Sequence, residues 1–200
     1  TAEEIASIAV LTARAVRSLR IVPRIALLSY SNFGSARGVD AEKMAEGGAE
    51  IIKAEALAYH IAYVDENKID EINILNASIL GMHLALDGLT IRPEHILIDG
   101  NKFKPYRDIS TECIIKGDGI YQSIAAASIL AKTARDKFME KAHEQFPVYG
   151  WNVNKGYPTK AHVNSIKDFG FCTMHRKTFG IIREMHQMSL FDLDKQPIVH

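Results

Sequence analysis

The sequence predicts an α/β protein with a largely parallel sheet. Three observations carry this. Short, nearly continuous apolar runs, such as 24–30 and 95–99, lack the alternation of half-buried strands and suit strands covered on both faces. Longer segments with apolar residues at helical spacing separate those runs. The runs give way to Ser, Asn, Gly or Asp, the residues that turn a chain out of a strand. Strands alternating with helices in this way build βαβ units around a parallel sheet.

Taken in order, Thr1 and Glu4 form a capping box, and Ile5, Ile8, Leu11, Ala15 and Leu19 continue as one apolar helical face. Pro23 ends that helix, and Arg24 to Tyr30 reads as a buried strand. Ser31 to Gly38 is a loop, and Asp40 reads as the N-cap of a helix interrupted by Gly47-Gly48. Leu57 to Val64 is a second strand candidate, followed by a helix over 65–87 with Ile69, Ile72, Leu75, Ile79, Met82 and Leu86 inward. His95 to Asp99 is a strand ending in a carboxylate, and Glu112 to Lys116 is another, followed by Gly117-Asp118-Gly119. A small-residue helix starts at Ser123 and runs to His143. A polar segment, 149–160, precedes a short helix from Thr159 to Asp168 that stops at Gly170.

The 200 residues suit one domain, or one domain with a fragment of another. Lys plus Arg is 24 and Asp plus Glu is 24, which excludes a basic arm or acidic tail acting through bulk charge but leaves room for a local basic groove. Cys113 and Cys172 cannot make a disulfide framework and point to a reducing, cytoplasmic compartment; Cys113, among apolar neighbours, reads as a buried small hydrophobe. No apolar run is long enough to span a bilayer, so no membrane partner is expected.

Ligands in open α/β sheets bind beyond the carboxyl ends of strands. Asp99 and Asp118 both sit at such ends. Two acids brought together there repel, and a hard divalent cation relieves the repulsion. The same residues also suit a plainer role, Asp99 capping its Asp-Gly turn and Asp118 capping the next helix. In Lys155-Gly156-Tyr157-Pro158-Thr159, the proline restricts Tyr157, whose ring can stack on a sugar or base while Lys155 meets phosphate. A surface loop with Thr159 as a helix cap fits equally well. His175-Arg176-Lys177 reads as a solvated basic loop, and the 29–35 segment as a strand-to-helix loop.

Six blocks then fall into a known order. They are Ile69 to Leu75, Leu97-Ile98-Asp99-Gly100-Asn101, Lys116-Gly117-Asp118, Ser123 to Lys132, Lys155 to Thr159, and His175-Arg176 with Phe179. Over residues 49–182 the chain resembles bacterial ribonuclease HII. The resemblance implies a ribonuclease H-like core, a mixed or parallel sheet flanked by helices. It implies a monomeric endonuclease that hydrolyses RNA in RNA–DNA hybrids, or at ribonucleotides embedded in duplex DNA, using Mg²⁺ or Mn²⁺. It makes Asp99 and Asp118 catalytic metal ligands, Tyr157 the reader of the 2′-OH, and Lys155 its substrate-binding neighbour. The family's opening Asp-Glu-x-Gly-Arg-Gly is absent from this sequence. Gly38-Val39-Asp40-Ala41-Glu42 mimics it without the adjacent acid and reads instead as a helix N-terminus.

Residues 1–46 resemble the phosphate acetyltransferase-like region of bacterial malic enzymes, on Thr1 to Ala6 and Ile25 to Ser35. The expectation is a chimera, with 1–48 a foreign α-β-α unit in place of the opening strands and 49–200 a truncated nuclease domain. Impaired cleavage follows, with a catalytically inactive hybrid-binding module as the alternative. Acyl-phosphate or coenzyme A binding by the first unit is the weakest reading.

Overall fold

Strand β1 (Ile25–Leu28) lies parallel to β2 (His95–Asp99), which lies parallel to β3 (Ser110–Ile114), in the order β1-β2-β3. The coordinates are a computed structural model, which describes residues 25–28, 39–180 and 182–183. The expected helix after Thr1 and the 29–35 loop lie outside those residues. The described helices are α1 (Val39–Glu55), α2 (Glu66–Asp87), α3 (Gln122–Gln145), α4 (Trp151–Asn154) and α5 (Lys160–Phe169). Tight 3-10 turns occupy Gly117–Gly119 and Pro147–Tyr149. Among the described residues, no helix is long and apolar enough to cross a membrane.

The chain divides into two compact units. One draws on the chain up to Tyr63 and on Ser78–Arg135; the other draws on Val64–Ala77 and the chain from Asp136. In the first, Ile79, Met82 and Leu86 of α2 pack with Ile96 and Ile98 of β2 and with Tyr106. Leu97, on the opposite side of the pleat, is buried too, so β2 is covered on both faces as its unbroken apolar run requires. Burial of each such side chain contributes roughly 1.5–3 kcal/mol. The crossover from β2 to β3 is pinned to the end of α2, where Asp87 accepts from the Tyr106 hydroxyl and from Arg107, both at 2.6 Å. In the second unit, Ala142, Tyr149, Trp151, Ile166 and Ile182 form the core.

The 123–143 helix and the short helix capped by Thr159 occur where the sequence places them, as Gln122–Gln145 and Lys160–Phe169. Several other expectations are corrected. The 57–64 run forms no strand. Among the described residues no strand lies beside it to satisfy its backbone, and Leu57, Tyr59 and Tyr63 are exposed. Gly47 and Gly48 do not interrupt α1, which runs through both with open space around them. That helix begins at Val39, so Asp40 lies inside its first turn rather than before it. The 65–87 helix is broken at Asn73, whose φ of 66° and ψ of 163° are not helical. The Asn73 Oδ1 accepts from the backbone of Leu75 and Asn76, both at 3.1 Å, and so caps a second helical stretch. Strand β3 is set two residues earlier than read, and Cys113 on it is exposed; among the described residues β3 pairs only with β2, and its side chains on both faces are exposed.

Candidate functional site

The apolar run of β2 carries the chain to Asp99, which pairs in register with Ile114 of β3. The Gly100 N–H donates to the Ile114 carbonyl at 2.8 Å and extends that pairing. Lys116, at φ 57°, then reverses the chain in the left-handed region. The reversal brings the Gly117 N–H to the Asp99 Oδ1 at 3.0 Å. Gly117 is buried, and a Cβ there would meet the Ile124 Cδ1 of α3 at 2.5 Å, so the turn approaches the helix as closely as only glycine allows. Asp118 follows, exposed, in a turn closed by Ile120 and Tyr121 N–H groups on the Gly117 carbonyl at 3.0 and 2.7 Å.

Asp99 therefore joins the end of β2 to the turn after β3, rather than capping its own Asp-Gly turn. The arrangement holds two carboxylate residues on successive parts of one junction. Two hard oxygen donors suit a Mg²⁺-like ion, which takes one or two carboxylates and fills its other positions with water or phosphate oxygen. Among the described residues, no group of three or more His, Cys, Asp or Glu side chains is placed to hold a metal.

Lys155 and Tyr157 lie in the second unit. Lys155, at φ 47°, ends α4, and its ammonium pairs with Glu140 at 2.5 Å while its side chain is only 9% exposed. The Tyr157 backbone is held on both sides. Its N–H donates to the Asn154 carbonyl at 2.8 Å, and its carbonyl accepts from the Thr159 N–H at 2.8 Å. Thr159 caps α5, accepting from the His162 N–H at 3.2 Å.

Sequence reasoning assigns nothing to His162 and leaves His175 in a solvated loop. Both are buried, and that reading of His175 is corrected. The Trp151 indole N–H donates to the His162 Nε2 at 3.1 Å, and the His175 Nε2 lies 3.3 Å from the same atom. The Cys172 N–H donates to the His175 Nδ1 at 3.1 Å. Burial, and then the neighbouring His162, lower the pKa of His175 to about 4. Asp70 was also missed. It accepts from the Lys177 N–H, the Thr178 N–H and the Thr178 hydroxyl at 2.6, 3.2 and 2.5 Å. Burial pushes its pKa upward, but the Thr178 hydroxyl, the two backbone donors and Arg176 together hold it below the usual range. The signal for Asp70 and for His175 is their place in a resembling block, and His162 has none; the partners are too distant in sequence for spacing to show.

A family model for ribonuclease HII matches residues 25–182. The ribonuclease HII of Christiangramia forsetii is 61% identical over 132 residues, covering 66% of this chain and 67% of that one. The chain belongs to the ribonuclease HII family. The ribonuclease HII of Phocaeicola vulgatus is 53% identical over 141 residues, 70% of each chain. The crystal structure of the ribonuclease H2 from Pyrococcus horikoshii superimposes with a TM-score of 0.62 at 22% identity, covering 74% of this chain and 77% of that one, which shows the shared ribonuclease H-like fold. The ribonuclease HII match starts at Ile25 and so takes in β1, which the sequence reading placed in the 1–48 unit.

Proposed function

We propose that this chain is an endonuclease for RNA in RNA–DNA hybrids, or at ribonucleotides embedded in duplex DNA, with Asp99 and Asp118 as its divalent-metal ligands. One observation carries the metal reading: the Gly117 N–H bonded to Asp99 ties the neighbouring Asp118 to the end of β2. A Mg²⁺ or Mn²⁺ ion held there would activate water and stabilise the leaving oxygen. The Gly117 N–H orients the Asp99 carboxylate and leaves it lone pairs to spare. Water attack in line on the phosphodiester leaves 3′-OH and 5′-phosphate ends. Tyr157 packs beside the sugar and reads its 2′-OH, and Lys155 would have to share its charge between Glu140 and a phosphate.

Cleavage is impaired on this reading, because the sequence carries two of the family's four carboxylates. The two-part organisation, a foreign 1–48 unit and a truncated nuclease domain over 49–200, belongs to the same proposal. Its support is the resemblance of residues 1–46 to the malic enzyme region; the family match that begins at Ile25 counts against it. The enzyme acts as a monomer in the cytoplasm.

Cleavage of a duplex containing one ribonucleotide, with Mn²⁺ supplied, tests this. Weak cutting that Asp99→Ala abolishes supports it. Cutting that survives Asp99→Ala refutes the metal assignment, and vigorous cutting refutes the impairment. A second reading, a non-cleaving hybrid-binding module, is favoured by the firmly held Tyr157 loop. Salt-sensitive binding without any cutting would establish it.

A further inference from the structure

The bonds around His162 fix where its protons are. The indole nitrogen of Trp151 can only donate, so the His162 Nε2 it faces at 3.1 Å carries a lone pair. The proton of this neutral ring is then on Nδ1, which lies 3.0 Å from the Tyr157 carbonyl and donates to it. The His175 ring is fixed in the opposite sense. Its Nδ1 accepts from the Cys172 backbone, so its Nε2–H points at the His162 Nε2, 3.3 Å away. Both N–H groups converge on the His162 Nε2 and share its one lone pair, so the two imidazoles and the indole form one buried cluster. The cluster ends on the backbone of Tyr157.

We infer that His162 is a positioning residue for Tyr157, and that His175 and Trp151 act through it by holding its Nδ1-protonated tautomer. This rests on the reading of Tyr157 as the residue that senses the 2′-OH. His162 holds the loop twice: its ring donates to the Tyr157 carbonyl, and its own N–H is taken by the Thr159 cap. The opposite side of the loop is closed by Asn154, whose Oδ1 accepts from Gly156 at 2.8 Å and whose carbonyl accepts from Tyr157. Pro158 removes further freedom. The Tyr157 backbone is therefore fixed before any substrate arrives. Such preorganisation shows in discrimination between substrates rather than in general affinity for a duplex.

The test uses the full chain and two probes, a DNA duplex with one ribonucleotide and the same duplex all in DNA. Binding is measured in EDTA so that neither is cut, and the ratio of affinities is the readout. Tyr157→Phe is expected to lower the ratio. His162→Leu is expected to lower it about fivefold, the worth of one typical hydrogen bond, with little change in binding to the all-DNA duplex. His162→Asn places an amide N–H where Nδ1–H stood and is expected to keep the ratio within about twofold, whereas His162→Gln places its amide near the Nε2 position and is expected to lose it. Fluorescence of Trp151, the single tryptophan, reports whether each variant is folded. If His162→Leu unfolds, the contrast between Asn and Gln decides. If Tyr157→Phe lowers the ratio while His162→Leu and His162→Gln leave it intact, the inference is overturned and the reading of Tyr157 stands. If Tyr157→Phe leaves the ratio intact, both fall.

Discussion

The Asp99 carboxylate accepts the Gly117 N–H at 3.0 Å, across the gap between the end of β2 and the turn that follows β3. One side chain thus has two tasks, to offer a charge and to hold a turn. The tasks separate by substitution.

Asp99→Asn keeps a carbonyl oxygen for Gly117 and removes the charge. Its unfolding free energy should stay within about 1 kcal/mol of the parent, while its Mn²⁺ affinity falls by more than about tenfold. Asp99→Ala should lose both. Urea unfolding and calorimetric titration with Mn²⁺ check the two halves; equal stability loss in both variants would show that the bond to Gly117 holds nothing.

Gly117→Ala forces a methyl group against Ile124, which is fully buried. The expected cost is about 1–3 kcal/mol. Ile124→Val removes the Cδ1 atom concerned and alone costs about 0.5–1.5 kcal/mol. The double variant should lose less than the sum of the singles, and a thermal-unfolding cycle reads that coupling. Strict additivity would mean the two positions do not touch.

At Asn73, the backbone lies in a region that suits glycine, while the side chain caps the following turn. Asn73→Ala loses the cap and keeps the strain, for an expected cost of about 1–3 kcal/mol. Asn73→Gly relieves the strain and should cost less. A reversed order in denaturant midpoints would refute the cap.

An unfolded histidine takes up its proton near pH 6.5, but His175 does so only at about 4. Between those values the unfolded chain binds more protons, so stability falls as the solution is made acid across that window and is fully present above it. The loss is on the order of 3 kcal/mol. His175→Gln keeps an N–H for His162 and should flatten the slope of stability against pH between 6.5 and 4. An unchanged slope would assign the acid sensitivity elsewhere.

The parts of the fold legible in the sequence are those set by local chemistry. Thr159 and Gly170 mark the ends of α5 because capping acts over a few residues. The unbroken run Ile96-Leu97-Ile98 marks a covered strand for the same kind of reason. What was illegible depends on distant partners. Leu57 to Val64 has strand-like residues but, among the described residues, no strand beside it. Asn73 reads as one polar residue in a helical pattern until its Oδ1 is seen on two amides. Of the candidate site, Asp99 and Asp118 were visible as strand-end acids, yet the bond from Gly117 was not. His162, His175 and Trp151 come together only when α4, α5 and the following loop pack, and nothing in their separate settings announces it.

Because β2 is closed on both faces, the backbone beneath Asp99 has little room to drift. Asp118 has more, sitting exposed between two glycines. Substitutions at Asp118 should therefore be absorbed at the surface, whereas any change beneath Asp99 is transmitted to the covered strand.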